Sequence, residues 1–306
     1  MKYSLLLLTG LLQLSFLVAQ LPRASFGSLK RLEAFPSKFV AARNIDVWLP
    51  EGYDSSKRYA VLYMHDGQML YDSTTSWNKQ EWGMDETATL LIKEKKVTPF
   101  IIVGIYNNGA YRHSEYFPEK PLAYLEQGLR DTLLKAALMG EARADRYLKF
   151  IVDELKPYID RNFSTYSDMA HTSIMGSSMG GLISLYAICE YPEVFGNAGC
   201  ISTHWPGIFN ANDPIPNAFN RYLSENGPDP DRHRIYFDYG TATLDALYEP
   251  YQIRINATMK RLGYKEKKNW LSLKFPGEDH SERAWKKRVT IPLQFLLKPN
   301  PTRAGK

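Results

Sequence analysis

The sequence predicts an α/β fold, a mostly parallel central sheet with helices on both faces, and three observations predict it. Short apolar runs ending in turn residues alternate along the chain with segments of helical periodicity. The runs at 59–64 and 100–105 are apolar at nearly every position, as strands buried on both faces are. A glycine-rich turn, Gly176-Ser177-Ser178-Met179-Gly180-Gly181, joins one such run to a buried helical segment. The chain has 306 residues, 44% of them hydrophobic, enough for one large domain with a sizeable core.

The elements follow in order. Residues 1–19 read as a secretory signal peptide: Lys2, an apolar run from Leu5 to Val18, and the small Ala19 at the exit. A membrane anchor is the alternative, but Thr9, Gly10 and Gln13 break a run already short for a span of about 20 apolar residues. Residues 20–306 then form a single domain, soluble and outside the cytoplasm (secreted or periplasmic), with no stable membrane span once the leader is removed. Strands are expected at 45–49, 59–64, 100–105, 172–175, 198–201, 235–239 and 270–275. Helices are expected at 84–94, 147–159, 182–188 and 285–297. The stretch 118–145 reads as a partly helical excursion over the top of the sheet, interrupted by Gly128 and Gly140. Its role is not fixed by its residues.

Composition narrows the chemistry. Thirty-eight Lys and Arg against 33 Asp and Glu give a net charge of +5, spread along the chain. A nucleic-acid partner needs a clustered basic face, so none is expected. Two cysteines make no disulfide framework and no metal-finger spacing, and no metal or organic cofactor is expected. Cys189 and Cys200 read as free buried thiols, with a bridge between them as the alternative.

The reactive residues converge on one turn. Gly176-Ser177-Ser178-Met179-Gly180 is a G-x-S-x-G motif centred on Ser178, after a strand and opening a helix. So sharp a turn needs small flanking residues, and it lifts the Ser178 hydroxyl where a base can reach it. Ser177 would need glycine at Met175 and Met179 to centre such a motif, so it is structural. In this arrangement the nucleophile precedes the acid and the histidine. His280, after strand 270–275 and before the last helix, is the expected base. Asp245, in the loop after strand 235–239, is the expected acid, with Asp238 the runner-up and Glu249 third; Asp279 reads as a solvated loop charge. His233 and His171 precede their strands and read as surface residues. The Met179 and Gln68 amides are the expected oxyanion donors, Gln68 lying in His65-Asp66-Gly67-Gln68 after strand 59–64. Substrate contacts are sought at His65, Asp66, Arg112, His204 and Trp205, although a packed histidine is the blander reading of His65. His113 lies in a polar loop within reach of substrate. Tyr106, Tyr111, Tyr116 and Trp205 supply aromatic rings suited to a sugar or phenolic ligand.

These segments in this order resemble one family. Val47-Trp48-Leu49-Pro50 with Gly52-Tyr53-Asp54, Leu62-Tyr63-Met64-His65-Asp66-Gly67-Gln68, Trp82-Gly83-Met84-Asp85, Ile102-Val103-Gly104-Ile105, Arg112 with Glu115-Tyr116, the serine turn, and Phe275-Pro276-Gly277 with His280 and Trp285 are similar to the enterochelin-esterase-like branch of the esterase family of α/β-hydrolases. That family also holds feruloyl and acetyl-xylan esterases of carbohydrate esterase family one, S-formylglutathione hydrolases and mycolyltransferases. The resemblance implies an α/β-hydrolase fold, a Ser178–Asp245–His280 triad, and Gln68 and Met179 as amide donors. Met69-Leu70-Tyr71 departs from the branch's usual Asn, Leu and Phe, and 118–145 diverges, so the pocket is this chain's own. The expected function is a secreted serine ester hydrolase working through an acyl-enzyme. Its expected substrate is a small-molecule or carbohydrate ester, first the feruloyl or acetyl esters of plant polysaccharide. A siderophore or other small ester, acyl transfer, and a non-catalytic carbohydrate-binding protein on a hydrolase scaffold are the alternatives.

Overall fold

The structure, a computed structural model, describes residues 21–299. The expected leader, 1–19, lies outside the described residues. Among the described residues there are eight strands: β1 (Ser28–Phe35), β2 (Arg43–Leu49), β3 (Ala60–His65), β4 (Phe100–Ile105), β5 (Thr172–Ser177), β6 (Asn197–Ile201), β7 (Arg234–Gly240) and β8 (Trp270–Phe275). They form one sheet in the order β1-β2-β4-β3-β5-β6-β7-β8. β2 pairs antiparallel with β1 and β4, and every other pairing is parallel. The chain crosses from β4 on one side of β3 to β5 on the other. Such a reversal opens a crevice at the carboxyl ends of the strands, where α/β sheets bind ligands.

Successive side chains of the inner strands go to opposite faces, and each face has its own core. Val61, Tyr63, Ile101, Val103, Ile174 and Phe237 pack into one cluster. Leu62, Met64, Phe100, Ile102, Met175 and Tyr236 pack into the other. The first face is covered by a helical run of α4 (Ala144–Lys149), a π-helical stretch Phe150–Leu155 and α5 (Lys156–Asn162), together with α6 (Met179–Glu190), α7 (Pro214–Asn226) and α8 (Glu249–Arg261). The second is covered by α1 (Met84–Lys93), α9 (Glu282–Lys286) and α10 (Thr290–Leu296). The two short elements α2 (Arg112–Tyr116) and α3 (Gln127–Ala137) build the excursion between β4 and α4. Helices on both faces of a mostly parallel sheet are as predicted.

Two local expectations fail for identifiable reasons. β1 is absent from the sequence reading because its residues alternate between exposed and half-buried, as on an edge strand polar on both sides. The single closing helix expected at 285–297 is instead α9 and α10, split around 287–289. Arg288 leaves the helical pattern there to face inward and pair with Asp238, its Nη2 donating to Oδ1 at 3.0 Å. Cys189 and Cys200 are free and buried.

Three buried ionisable side chains bear on stability. Arg43 on β2 and Glu115 on α2 form a bidentate pair at 2.8 and 2.7 Å, each side chain 2% exposed. Asp85, in the first turn of α1, accepts from the Ser25 and Phe26 amides at 2.6 and 3.1 Å and so ties the segment before β1 to the helix. Burial, then the neighbouring Glu86, push the Asp85 pKa up to about 7. A carboxyl whose pKa is raised on folding binds more protons folded than unfolded. Its contribution therefore falls as pH rises from about 4 towards 7. Asp85→Asn keeps an acceptor for both amides and removes the charge. It should raise Tm at pH 8 and change it little at pH 4, as read by calorimetry. A lower Tm at pH 8 would contradict the raised pKa.

Candidate active site

The carboxyl ends of β3, β5, β6 and β7 supply the site, and four non-glycine residues there have positive φ. They are Asp66 (57°), Ser178 (59°), Ser202 (39°) and Thr243 (53°). Backbone held in such sparsely populated regions gathers where a site must be aimed. Ser178, with ψ −122°, lies between β5 and α6. Its amide donates to Ile201 O at 2.9 Å and its carbonyl accepts from the Gly181 and His204 amides. A Cβ on Gly176 would lie 2.9 Å from the Gly180 backbone, so the turn closes only with hydrogen at that position. Gly67 meets a like constraint: a Cβ there would lie 2.5 Å from the backbone of Gly104.

Asp245 and His280 meet at this end of the sheet. His280 Nδ1 lies 2.5 Å from Asp245 Oδ1. The His280 amide donates to Thr243 Oγ1 at 2.9 Å, which fixes the loop that carries the ring. Trp285 and Tyr248 stand edge-on to the imidazole at 5.1 and 5.9 Å between ring centres. The other Asp245 oxygen accepts from Ser202 Oγ and from the Gly240 amide, both at 2.6 Å. Ser202 Oγ in turn accepts from Trp285 Nε1 at 3.0 Å and Arg288 Nη2 at 2.9 Å. Asp245 is thus a fully buried carboxylate with every oxygen bonded, and its partners are themselves held. Asp238, the runner-up acid, faces away. It bonds Arg288, the Tyr236 hydroxyl and the Ser202 amide. Burial, only partly offset by Arg288, leaves its pKa above the usual carboxylate range. Glu249 is paired with Lys274 on the surface.

Ser178 and His280 line one open cleft of about 740 Å³, together with Asp66, Gln68 and Arg112. Arg112 grips Asp66 with Nε and Nη2 at 2.8 and 2.6 Å, and Asn107 Nδ2 adds a third bond at 2.7 Å. Burial opposes the Asp66 charge, but Arg112 and Asn107 outweigh it and hold its pKa below the usual carboxylate range. Gln68 follows on a single 3₁₀ turn, Gly67–Met69, its side chain accepting from the Asn107 amide. Met179 is the first residue of α6, so its N–H has no acceptor within the helix. Met179 follows Ser178 directly, and Gln68 lies just past the end of β3, the strand that neighbours β5.

Several expected substrate contacts are core residues instead. His65 is buried with Nδ1 2.8 Å from the Tyr147 hydroxyl, and burial pushes its pKa down to about 3. His204 is likewise buried against Tyr248, Nδ1 to hydroxyl 2.8 Å, its pKa pushed down to about 3 by burial and then by the neighbouring His280. Trp205 is 1% exposed and donates to Gln252 Oε1 at 2.9 Å, so its ring packs in the core and forms no cleft wall. Tyr106 is engaged by Arg31 and Asp46, and Tyr116 is buried beneath Asp66. Tyr111 lies under Arg143. None of these rings lines the cleft. His113 Nε2 donates to Gly207 O at 2.9 Å, outside the cleft lining. His233 is no surface residue. It is 3% exposed, with both ring nitrogens against backbone carbonyls.

The aromatic wall comes from residues the sequence reading passed over. Trp77 and Phe209 line the cleft while 80% and 78% exposed. Behind them Trp82 stacks on Trp285 at 5.2 Å. Trp77 sits in a turn-rich loop pinned to the segment that follows His280. Asn78 Nδ2 donates to Glu282 Oε2 at 2.8 Å, the Arg283 amide donates to Gln80 Oε1 at 3.1 Å, and Lys286 pairs with Glu81 at 2.7 Å. A large ring in a polar loop rich in Ser and Thr was the signal available for it.

Known proteins resemble this chain throughout. The family model described as Putative esterase matches residues 38–290. An endo-1,4-beta-xylanase/feruloyl esterase of Xylanibacter ruminicola is 29% identical over 184 residues, 58% of this chain and 22% of that protein. The ferri-bacillibactin esterase BesA of Bacillus subtilis is 26% identical over 154 residues, 48% of this chain and 49% of that protein. The match thus spans less than two thirds of either relative. The ferulic acid esterase AmCE1/Fae1A of Anaeromyces mucronatus, solved with ferulic acid, superposes with a TM-score of 0.59 at 19% identity, over 90% of this chain and 94% of that one. At that identity the likeness shows the α/β-hydrolase fold.

Proposed function

This chain belongs to the putative esterase family of α/β-hydrolases, and from that premise we propose that it hydrolyses carboxylic esters through an acyl-serine. The carrying observation is one cleft that holds Ser178 on a strained turn and His280 on Asp245. Asp245 keeps the Nδ1 proton on its own side of the ring, which leaves Nε2 as the basic nitrogen. His280 takes the Ser178 proton as Oγ attacks the ester carbonyl. The oxyanion sits on the Gln68 and Met179 amides. Collapse expels the alcohol, protonated by His280, and water activated by the same ring releases the acid.

The substrate proposed is a feruloyl or acetyl ester of plant polysaccharide. An open cleft rimmed by Trp77 and Phe209 suits a flat phenolic ring or the face of a sugar, and one relative carries a feruloyl esterase name. A siderophore ester is the second reading, favoured by the ferri-bacillibactin esterase relative. Residues 1–19 support export of a single-domain enzyme. Among the described residues no helix is long and apolar enough to cross a membrane.

A fluorophosphonate probe should add one covalent adduct per chain, mapped by peptide mass to Ser178 and lost in Ser178→Ala. An unlabelled native chain, where a known serine hydrolase reacts, would leave the binding-only alternative. Initial rates on acetylated xylan, feruloylated arabinoxylan and a catecholate triester then choose the substrate.

A further inference from the structure

A second cavity lies at the opposite end of the sheet, and nothing in the proposed reaction uses it. It encloses about 240 Å³ beside the amino ends of β3, β6 and β7, next to Ala60, Asn197 and Arg234. These strands run five to seven residues between the two ends, so this cavity is about 20 Å from the serine turn. Four cationic side chains line it, Arg232, Arg234, Lys268 and Lys298, against the single carboxylate of Asp231.

The cations are not there to pair with the protein. Arg234 is half-buried, yet withdrawal from water is the sole influence on its guanidinium, and it lowers the pKa from the ordinary value. Among the described residues no carboxylate or side-chain oxygen compensates. That contrasts with Arg43, Arg112 and Arg288, each held by a carboxylate. Arg232 reaches only the Met169 thioether, 3.7 Å from Nη2. His233 in the lining is engaged by backbone carbonyls. Its Nδ1 is 2.8 Å from Asp229 O and its Nε2 is 2.7 Å from Pro192 O. A partly desolvated, unpaired guanidinium costs stability, and a concave pocket that gathers such groups is built for a negative partner.

We propose that this cavity is a second binding site, for an oxyanion carried on a small ligand such as a uronate sugar or a phosphate. Arg234 supplies the planar donors at its floor, and Arg232, Lys268 and Lys298 close round the charge from the rim. The site is spatially separate from Ser178, so it anchors or senses an anion without taking part in ester cleavage.

Calorimetric titration of the full chain with digalacturonate, and separately with inorganic phosphate, tests this. Saturable millimolar or tighter binding of at least one probe is expected, weakened by added salt. Digalacturonate alone would mark an acidic glycan as the source, and phosphate alone or both would mark a free oxyanion. Arg234→Gln should weaken binding at least tenfold, and Lys268→Gln on the exposed rim should weaken it severalfold without touching the core. Hydrolysis of p-nitrophenyl acetate should be unchanged in both variants, whether or not the esterase reading holds. Absence of saturable binding by either probe, or equal affinity in the two variants and the native chain, would overturn the proposal.

Discussion

Ser178→Ala is expected to lower kcat for a p-nitrophenyl acetate-type ester by about 10⁴- to 10⁶-fold, with the fold intact by near-ultraviolet circular dichroism. The size follows from the site's construction. Ser177 is 5% exposed at the end of β5, without the strained φ of its neighbour, and offers no replacement. His280→Ala should cost a comparable factor, and the double variant should be no worse than either single one, because the hydroxyl and the imidazole act as one unit. Steady-state rates at saturating substrate give the comparison. Ser178→Ala retaining a tenth of native turnover would remove the acyl-serine from consideration.

Arg43→Leu is expected to destabilise the chain by about 3–5 kcal/mol, measured by urea unfolding. The substitution leaves the Glu115 carboxylate buried and without its bidentate partner. Arg43→Leu with Glu115→Leu should recover most of the loss, since an apolar pair of similar volume removes the unpaired charge as well. The effect reaches the cleft, because α2 carries both Glu115 and, one turn earlier, Arg112, which holds Asp66. A single variant as stable as the native chain would show that Glu115 finds water or another partner.

What the sequence disclosed, it disclosed through backbone demands. Seven of the eight strands lie where their apolar residues place them, although β8 at the sheet's edge is mostly half-buried. The serine turn declares itself because only glycine tolerates the approach seen at Gly176. The Asp245–His280 pair was legible from chain order and from loops that follow strands, and the carboxylate and the imidazole meet at the predicted strand ends. Side chains at strand ends were less legible. His65 and His204 stand one residue from the cleft-lining Asp66 or in its neighbouring loop, and the path of the backbone turns them inward to Tyr147 and Tyr248. No periodicity records that turn. The Ser202–Arg288–Trp285 support of Asp245 joins three distant segments, so it could be found only in three dimensions.

The loop bearing Trp77 and the segment bearing His280 are joined by three contacts, Asn78 to Glu282, Gln80 to Arg283 and Glu81 to Lys286. Selectivity and turnover therefore cannot be tuned independently through that loop. Libraries that diversify 77–81 for a new acyl group will disturb the base, and improved variants should recur with second changes at 282–286 that restore its alignment.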